Sequence, residues 1–413
     1  MNFLWAVVFT IACQSMWAQE FDLLIKNGHL IDAKNKLDQP MDVAVRDGKI
    51  AEVAARIPAE KAKQVIDAEG LYVVPGLIDM HVHVFHGINQ DQYIANSFTS
   101  LPPDGFTFRH GVTTVVDAGS SGWRNFKTFR EQTIDNSKTR VLAFINIVGW
   151  GMKGGAVEQN LGDMDPKLTA IVARQNKDVI VGTKLAHYSG HDWTPLERTV
   201  EAGELAGGIP AMIDFGGASP PLSIETLLLE KLRPGDIYAH CYAHVNGRMP
   251  VVDENGKVRP CVHQAHERGV LFEVGHGGGS FVFEQAMPAL EQGFLPDMIS
   301  TDLHTGSMNA GMKDMLNVMS KFLNMGMPLE DVIARSSWAP AVHLHREELG
   351  HLSVGAHADI AVLNLKEGDF GFTDVRGWKI QGDKKLECEL TLRDGKVVWD
   401  LNGLSMQEWQ TSK

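Results

Sequence analysis

Residues 73–83 read Val-Val-Pro-Gly-Leu-Ile-Asp-Met-His-Val-His. An apolar run of strand length ends in two histidines with one residue between them. Successive side chains of a strand point to opposite faces, so His81 and His83 share a side. Two imidazoles placed together at a strand end can clasp one divalent cation. The same texture recurs downstream at Thr113–Asp117, Val141–Ile147, Val179–Leu185, Ala211–Asp214, Ile237–His240, Leu271–Val274 and Met298–Thr301, with helix-length segments between most of the runs. Together with the run from Val73 to Met80 these are eight strand candidates. Eight β/α units over roughly 270 residues, 76–345, are the size of a (β/α)8 TIM barrel, an α/β fold.

The two ends of the chain differ from this middle. Asp22–Gly28, Asp42–Gly48 and Ile50–Val53 alternate or run apolar and are punctuated by Asn-Gly and Asp-Gly turns; Gly355–Leu363 and Leu390–Val398 look the same. Residues 19–75 and 346–413 are therefore expected to form one small β-sandwich domain built from both chain ends. Of 413 residues, 44% are hydrophobic and 22% charged, which are globular values. The net charge of -13 disfavours nucleic acid and anionic lipid as partners. Residues 1–18, MNFLWAVVFTIACQSMWA, are apolar and uncharged. They read as a signal peptide cleaved after Ala18, giving an exported, periplasmic or extracellular protein. The run is too short for a membrane span, so no stable span is expected in the mature chain. Cys13 would be the site of any lipid anchor. Cys241, Cys261 and Cys388 are too few and too scattered for a disulfide framework.

Metal-ligand residue types stand at the ends of several strand candidates, the face on which barrels carry their sites. After His81 and His83, the fourth run ends in Lys184. A lysine there either reaches back to solvent or is buried as something other than a free cation. The fifth run ends in Asp214, the sixth in His240, and the seventh leads to His276-Gly277-Gly278-Gly279-Ser280. The eighth ends in Ser300-Thr-Asp302-Leu-His304.

These pieces resemble the amidohydrolase superfamily, specifically its deacetylase-like, dihydroorotase-related branch. The resemblance is carried by Pro75–His83, Ala239-His-Cys241, Gly275-His-Gly277, Ser300–His304 and Gly350–Ala361. It implies a hydrolase with two divalent metal ions, zinc being the expected one. His81, His83 and Asp302 would hold the more buried ion, Lys184 would bridge both as its carbamate, and His240 would hold the second. Asp214 stands where such enzymes usually supply a further histidine, and is expected to ligate through oxygen. Asp302 and His276 are the implied catalytic groups: Asp302 moves a proton from the attacking hydroxide to the leaving group. His276, Gly277 and Gly278 are the implied substrate contacts. The implied substrate is a small acylated molecule, an N-acyl amino acid or an O-acetyl hydroxy acid, cleaved at its amide or ester bond. A cyclic-amide hydrolase and an inactive barrel serving as a binding subunit are the alternatives. Phe85 stands where dihydroorotases carry a carboxylate-binding arginine, and Thr113–Gly119 has no cysteine ligand of the D-aminoacylase type. Self-association into a homo-oligomer is left open.

Other motifs carry less. His263-Gln-Ala-His266-Glu267 does not match a metalloprotease helix, Gly277–Ser280 lacks the Lys-Ser/Thr of a phosphate loop, and Met308, Met312, Met315 and Met319 at helical spacing read as core.

Overall fold

The computed structural model describes residues 19–87, 95–214 and 216–409. The expected signal segment, Met1–Ala18, with Cys13, lies outside the described residues.

Seven parallel strands follow one another around a barrel: Leu77–Val82, Val112–Gly122, Arg140–Asn146, Ile180–Ala186, Ala211–Asp214, Ile237–Tyr238 and Leu271–Phe272. Each pairs with its sequence neighbour, as in Asn146 opposite Lys184 and Ala186 opposite Asp214. The eighth run forms no ladder. It closes the ring through two parallel bridges, Glu273 with Met298 and Val82 with Leu303. Ile78, Val116, Leu142, Val181, Met212, Ile237, Leu271 and Met298 pack into one cluster. A cluster to which all eight segments contribute is the barrel interior. The other face of the strands packs against helices such as Pro166–Gln175 and Thr194–Leu205. The first of these starts where its sequence says it should: Pro166 opens it, and the Asp165 carboxylate accepts from the amides of Lys167 and Leu168 at 2.9 and 3.0 Å. Met312, Met315 and Met319 are buried in the core, as their spacing implied.

The run from Val73 to Met80 is two strands rather than one. Tyr72–Pro75 belongs to an outer sheet and Leu77–Val82 to the barrel, with Gly76 between them. A side chain at Gly76 would lie 2.3 Å from Thr113 Oγ1, so only glycine lets the chain cross there.

Strands from both ends make two sheets. One has four strands, all from residues 21–67; the other has six, in which Tyr72–Pro75 pairs with Ile360–Thr373. Leu23, Val43 and Ile66 of the first share a core with Leu30, Ile360 and Leu390 of the second. The hairpin Ile360–Thr373/Lys379–Arg393 extends beyond this sandwich. Its far part lies on the barrel helix Met315–Asn324, where the amide of Leu386 donates to Ser320 Oγ at 2.9 Å. The three described cysteines are buried and unpaired. Among the described residues no helix is long and apolar enough to cross a membrane.

Candidate metal centre

A cavity of about 380 Å³ opens at the C-terminal ends of the strands. His81, His83, Lys184, His187, Asp214, His240, Arg248, Gly278, Gly279, Asp302 and His304 line it. Four strand ends and the eighth segment thus deliver their polar residues to one place.

Two sets of donors face each other there. In the first, His83 Nε2 lies 3.1 Å and His81 Nε2 3.7 Å from Asp302 Oδ1. The far nitrogen of each ring is engaged: His81 Nδ1 donates to Glu273 at 3.2 Å, and His83 Nδ1 is hydrogen-bonded to Ser120 Oγ at 2.9 Å. Such bonds fix the ring orientation, and the one to Glu273 leaves the lone pair of His81 on Nε2, toward the cavity. In the second set, His240 Nε2 lies 3.3 Å from Asp214 Oδ2, and His240 Nδ1 donates to the carbonyl of Gly275 at 2.6 Å. Asp214 Oδ1 accepts from Arg248 at 3.2 Å. That guanidinium also bonds the carbonyl of Ala239 and the Tyr238 hydroxyl, and stacks on the Tyr238 ring.

His81, His240 and Glu273 also lie close enough to suggest a ligand triple, as do His81, His83 and Asp302. The second triple is the better candidate ligand set. In the first, His81 and His240 both use Nδ1 as a donor to a protein oxygen, and Ser300 Oγ bonds Glu273. Glu273 therefore orients His81 rather than holding a cation.

The electrostatics fit this division. Burial, and then the positive Lys184, push His81 down to about 4, so its ring is neutral. Burial raises the Asp302 carboxyl, but the His83 hydrogen bond and the surrounding imidazoles more than reverse this and hold it ionised. Burial likewise raises Asp214, and His240 and Lys184 bring it well below the ordinary range. Burial depresses Lys184 despite the attraction of Asp214, Glu273 and Asp302. Its Nζ is buried and makes no hydrogen bond among the described residues. A buried amine with no partner, beside three carboxylates, costs energy unless a further group completes the site. Divalent cations would compensate the carboxylates, and the N and O donors present are the types that bind zinc or its neighbours.

Two expected contacts do not line this cavity, His276 and Gly277. The His276 ring is fully buried and does not line the cavity. Its Nε2 accepts from Lys321 at 2.6 Å, and the ring stacks on Phe281 with centroids 4.5 Å apart. The amide of Gly277 is committed to the carbonyl of Thr301 at 2.8 Å. The cause is local: Gly275 and Gly277 have φ of +43° and +57°, which turn the chain back toward the helix Met315–Asn324. Gly278 does reach the cavity. Four contributors were not singled out by sequence: His187, Arg248, Glu273 and Glu158. The set-aside pair His263 and His266 lies on the helix Pro260–Glu267, away from the cavity, with His266 bonded to Asp297.

A barrel with histidines, carboxylates and an orphaned lysine at its strand ends defines a metal-dependent hydrolase. Residues 64–133 and 282–398 match the amidohydrolase family. A deacetylase of Agrobacterium fabrum is 35% identical over 338 residues, 80% of each chain. A deacetylase of Enterococcus faecalis is 32% identical over 386 residues, 92% of this chain and 99% of its own. Among solved structures, an adenine deaminase superimposes with a TM-score of 0.83 at 30% identity, over 92% of this chain and 100% of its own. A dihydroorotase gives 0.79 at 29% identity, over 92% and 99%. The chain belongs to the amidohydrolase family, and it is a hydrolase acting on C–N bonds.

Proposed function

We propose that the protein hydrolyses the acyl bond of a small substrate, an N-acyl amino acid or an O-acetyl hydroxy acid, with two zinc ions held at the strand ends. The observation that carries this reading is Lys184: a buried amine without a hydrogen bond among the described residues, in a cavity shared by two sets of candidate ligand side chains. The deacetylase relatives supply the acyl chemistry. Burial lowers the Lys184 pKa and so favours the neutral amine, the form that adds carbon dioxide and releases a proton to become a carbamate.

His81, His83 and Asp302 would hold one cation, and Asp214 and His240 the other, with the Lys184 carbamate reaching both. When bound, the cations supply hydroxide near neutral pH and polarise the scissile carbonyl. The chain does the rest. Asp302 Oδ1 faces the two imidazoles, which leaves Oδ2 to accept the proton of the nucleophile and pass it to the leaving amine or alkoxide. Backbone at Gly278 and Gly279 forms part of the wall on which developing negative charge can be stabilised. A cavity of about 380 Å³ limits the substrate to a small molecule. We further propose export, directed by residues 1–18, which amino-terminal sequencing of secreted protein tests.

The reading is tested by assaying protein loaded with zinc and bicarbonate against N-acetyl amino acids, acetylated hydroxy acids and hydantoins. Turnover of an acyl substrate supports it. Turnover of hydantoins alone transfers the enzyme to the cyclic amides. No turnover, with tight binding of the same compounds, leaves a binding subunit.

A further inference from the structure

The second donor set is larger than Asp214 and His240. His187 follows the fourth barrel strand, Ile180–Ala186, and lines the same cavity. Its Nε2 lies 3.7 Å from Asp214 Oδ2, the oxygen that His240 Nε2 approaches to 3.3 Å. Its Nδ1 donates to Glu158 Oε2 at 2.9 Å. Glu158 is buried, and its other oxygen accepts from the amide of Gly154 at 2.8 Å.

This arrangement repeats the first set. There, two Nε2 atoms stand 3.1 and 3.7 Å from one oxygen of Asp302. Here they stand 3.3 and 3.7 Å from one oxygen of Asp214. Bonds of about 2.0–2.1 Å in a tetrahedral centre set neighbouring donors about 3.4 Å apart, so both sets have ligand spacing. In both sets a protein group ties the far ring nitrogen. A buried carboxylate does so for His187 as it does for His81, a pairing that orients metal-bound histidines. Arg248 occupies Asp214 Oδ1, so the carboxylate has one oxygen left, and that oxygen faces both rings. The backbone is also set for the purpose: His187 and His240 both have φ of +56°, an uncommon conformation for a side-chain-bearing residue.

We infer that His187 is a ligand of the second metal position, completing two imidazoles and one carboxylate with His240 and Asp214, and that Glu158 is its positioning residue. This rests on the two-metal reading of the site. The donor set is that of a two-histidine, one-carboxylate face, with the remaining positions open to the Lys184 carbamate and to substrate.

The test is zinc titration of the chelated full-length protein in bicarbonate, comparing wild type with His187→Gly and Glu158→Gln. Glycine accepts a φ of +56° without strain, so His187→Gly is expected to fold. Wild type should bind two ions. His187→Gly should keep the first ion and weaken the second at least tenfold, and millimolar imidazole should restore it. Glu158→Gln should weaken the second ion by roughly 10–100-fold. With cobalt in place of zinc, the visible spectrum of the second ion should change in His187→Gly and return with imidazole. Two ions bound with wild-type affinity in His187→Gly would overturn the inference and leave the two-metal reading standing. Fewer than two ions in wild type would overturn both.

Discussion

Lys321 offers a quantitative test of how the core beneath the cavity is held. Its side chain is fully buried on the helix Met315–Asn324, and its Nζ donates to His276 Nε2 and to the carbonyl of Gly311, both at 2.6 Å. Burial, reinforced by Lys313, brings its pKa from 10.5 to about 7. The unfolded chain keeps this proton up to pH 10.5 and the folded chain only to about 7, so between these values the unfolded state binds more protons and stability rises with pH. The shift of about 3.5 units corresponds to about 5 kcal/mol, a penalty fully present below pH 7 and gone above 10.5. About 2–3 kcal/mol of it is relieved between pH 7 and 9. Lys321→Met removes the penalty but orphans two buried acceptors, at about 1–3 kcal/mol each. The variant should therefore match wild type closely at pH 7 and be less stable by about 2–3 kcal/mol more at pH 9. Urea unfolding followed by tryptophan fluorescence at pH 7, 8 and 9 measures this difference. A difference that does not change with pH would refute the claim that burial neutralises Lys321.

Three other outcomes are expected. Lys184→Ala should lower the metal content of protein purified in bicarbonate from near two ions per chain, read by elemental analysis; an unchanged content would remove Lys184 from the centre. Asp79→Ala should lower the urea-unfolding stability by about 3 kcal/mol, because the Asp79 carboxylate accepts from the amide and hydroxyl of Thr301 at 3.0 and 2.5 Å and so ties the first strand to the eighth segment. Arg248→Leu should lower the melting temperature of chelated protein sharply and that of zinc-loaded protein much less. Equal losses in the two states would show that Asp214 does not face the cation.

The barrel was legible because its strands are buried on both faces, so each reads as a continuous apolar run bounded by polar segments. The boundaries were less so. The run through Val73–Met80 gives no sign of passing between sheets except Gly76, whose role depends on Thr113, a residue remote in sequence. The eighth run is apolar enough to be found, yet it makes bridges instead of a ladder. The candidate ligands His81, His83, His240 and Asp302 could be picked out because strand ends converge in this architecture. The orienting groups could not, since Glu158 meets His187 and Glu273 meets His81 only through tertiary packing. His276 shows the limit of arguing from position. It stands at a strand end like the ligands, but two residues of positive φ on either side reverse its direction. His187 was hidden for the opposite reason: it lies beyond the apolar run, and its backbone conformation returns the ring to the cavity.

Asp214 looks at first like a disturbance, since a carboxylate adds a negative charge that an imidazole would not. Arg248 resolves this. The buried guanidinium holds Asp214 Oδ1 and is itself fixed by Tyr238 and Ala239, so carboxylate and guanidinium together are neutral, like the imidazole they stand in for. Removing one partner of a buried pair costs about 3–5 kcal/mol because the other charge is left uncompensated. A cation at Oδ2 would supply that compensation, which is why the Arg248→Leu defect should depend on metal. The arginine and a bound cation would thus act on opposite oxygens of one carboxylate. Arg248 would then hold the folded protein before a cation arrives, and it leaves one oxygen, the one between His187 and His240, to receive it.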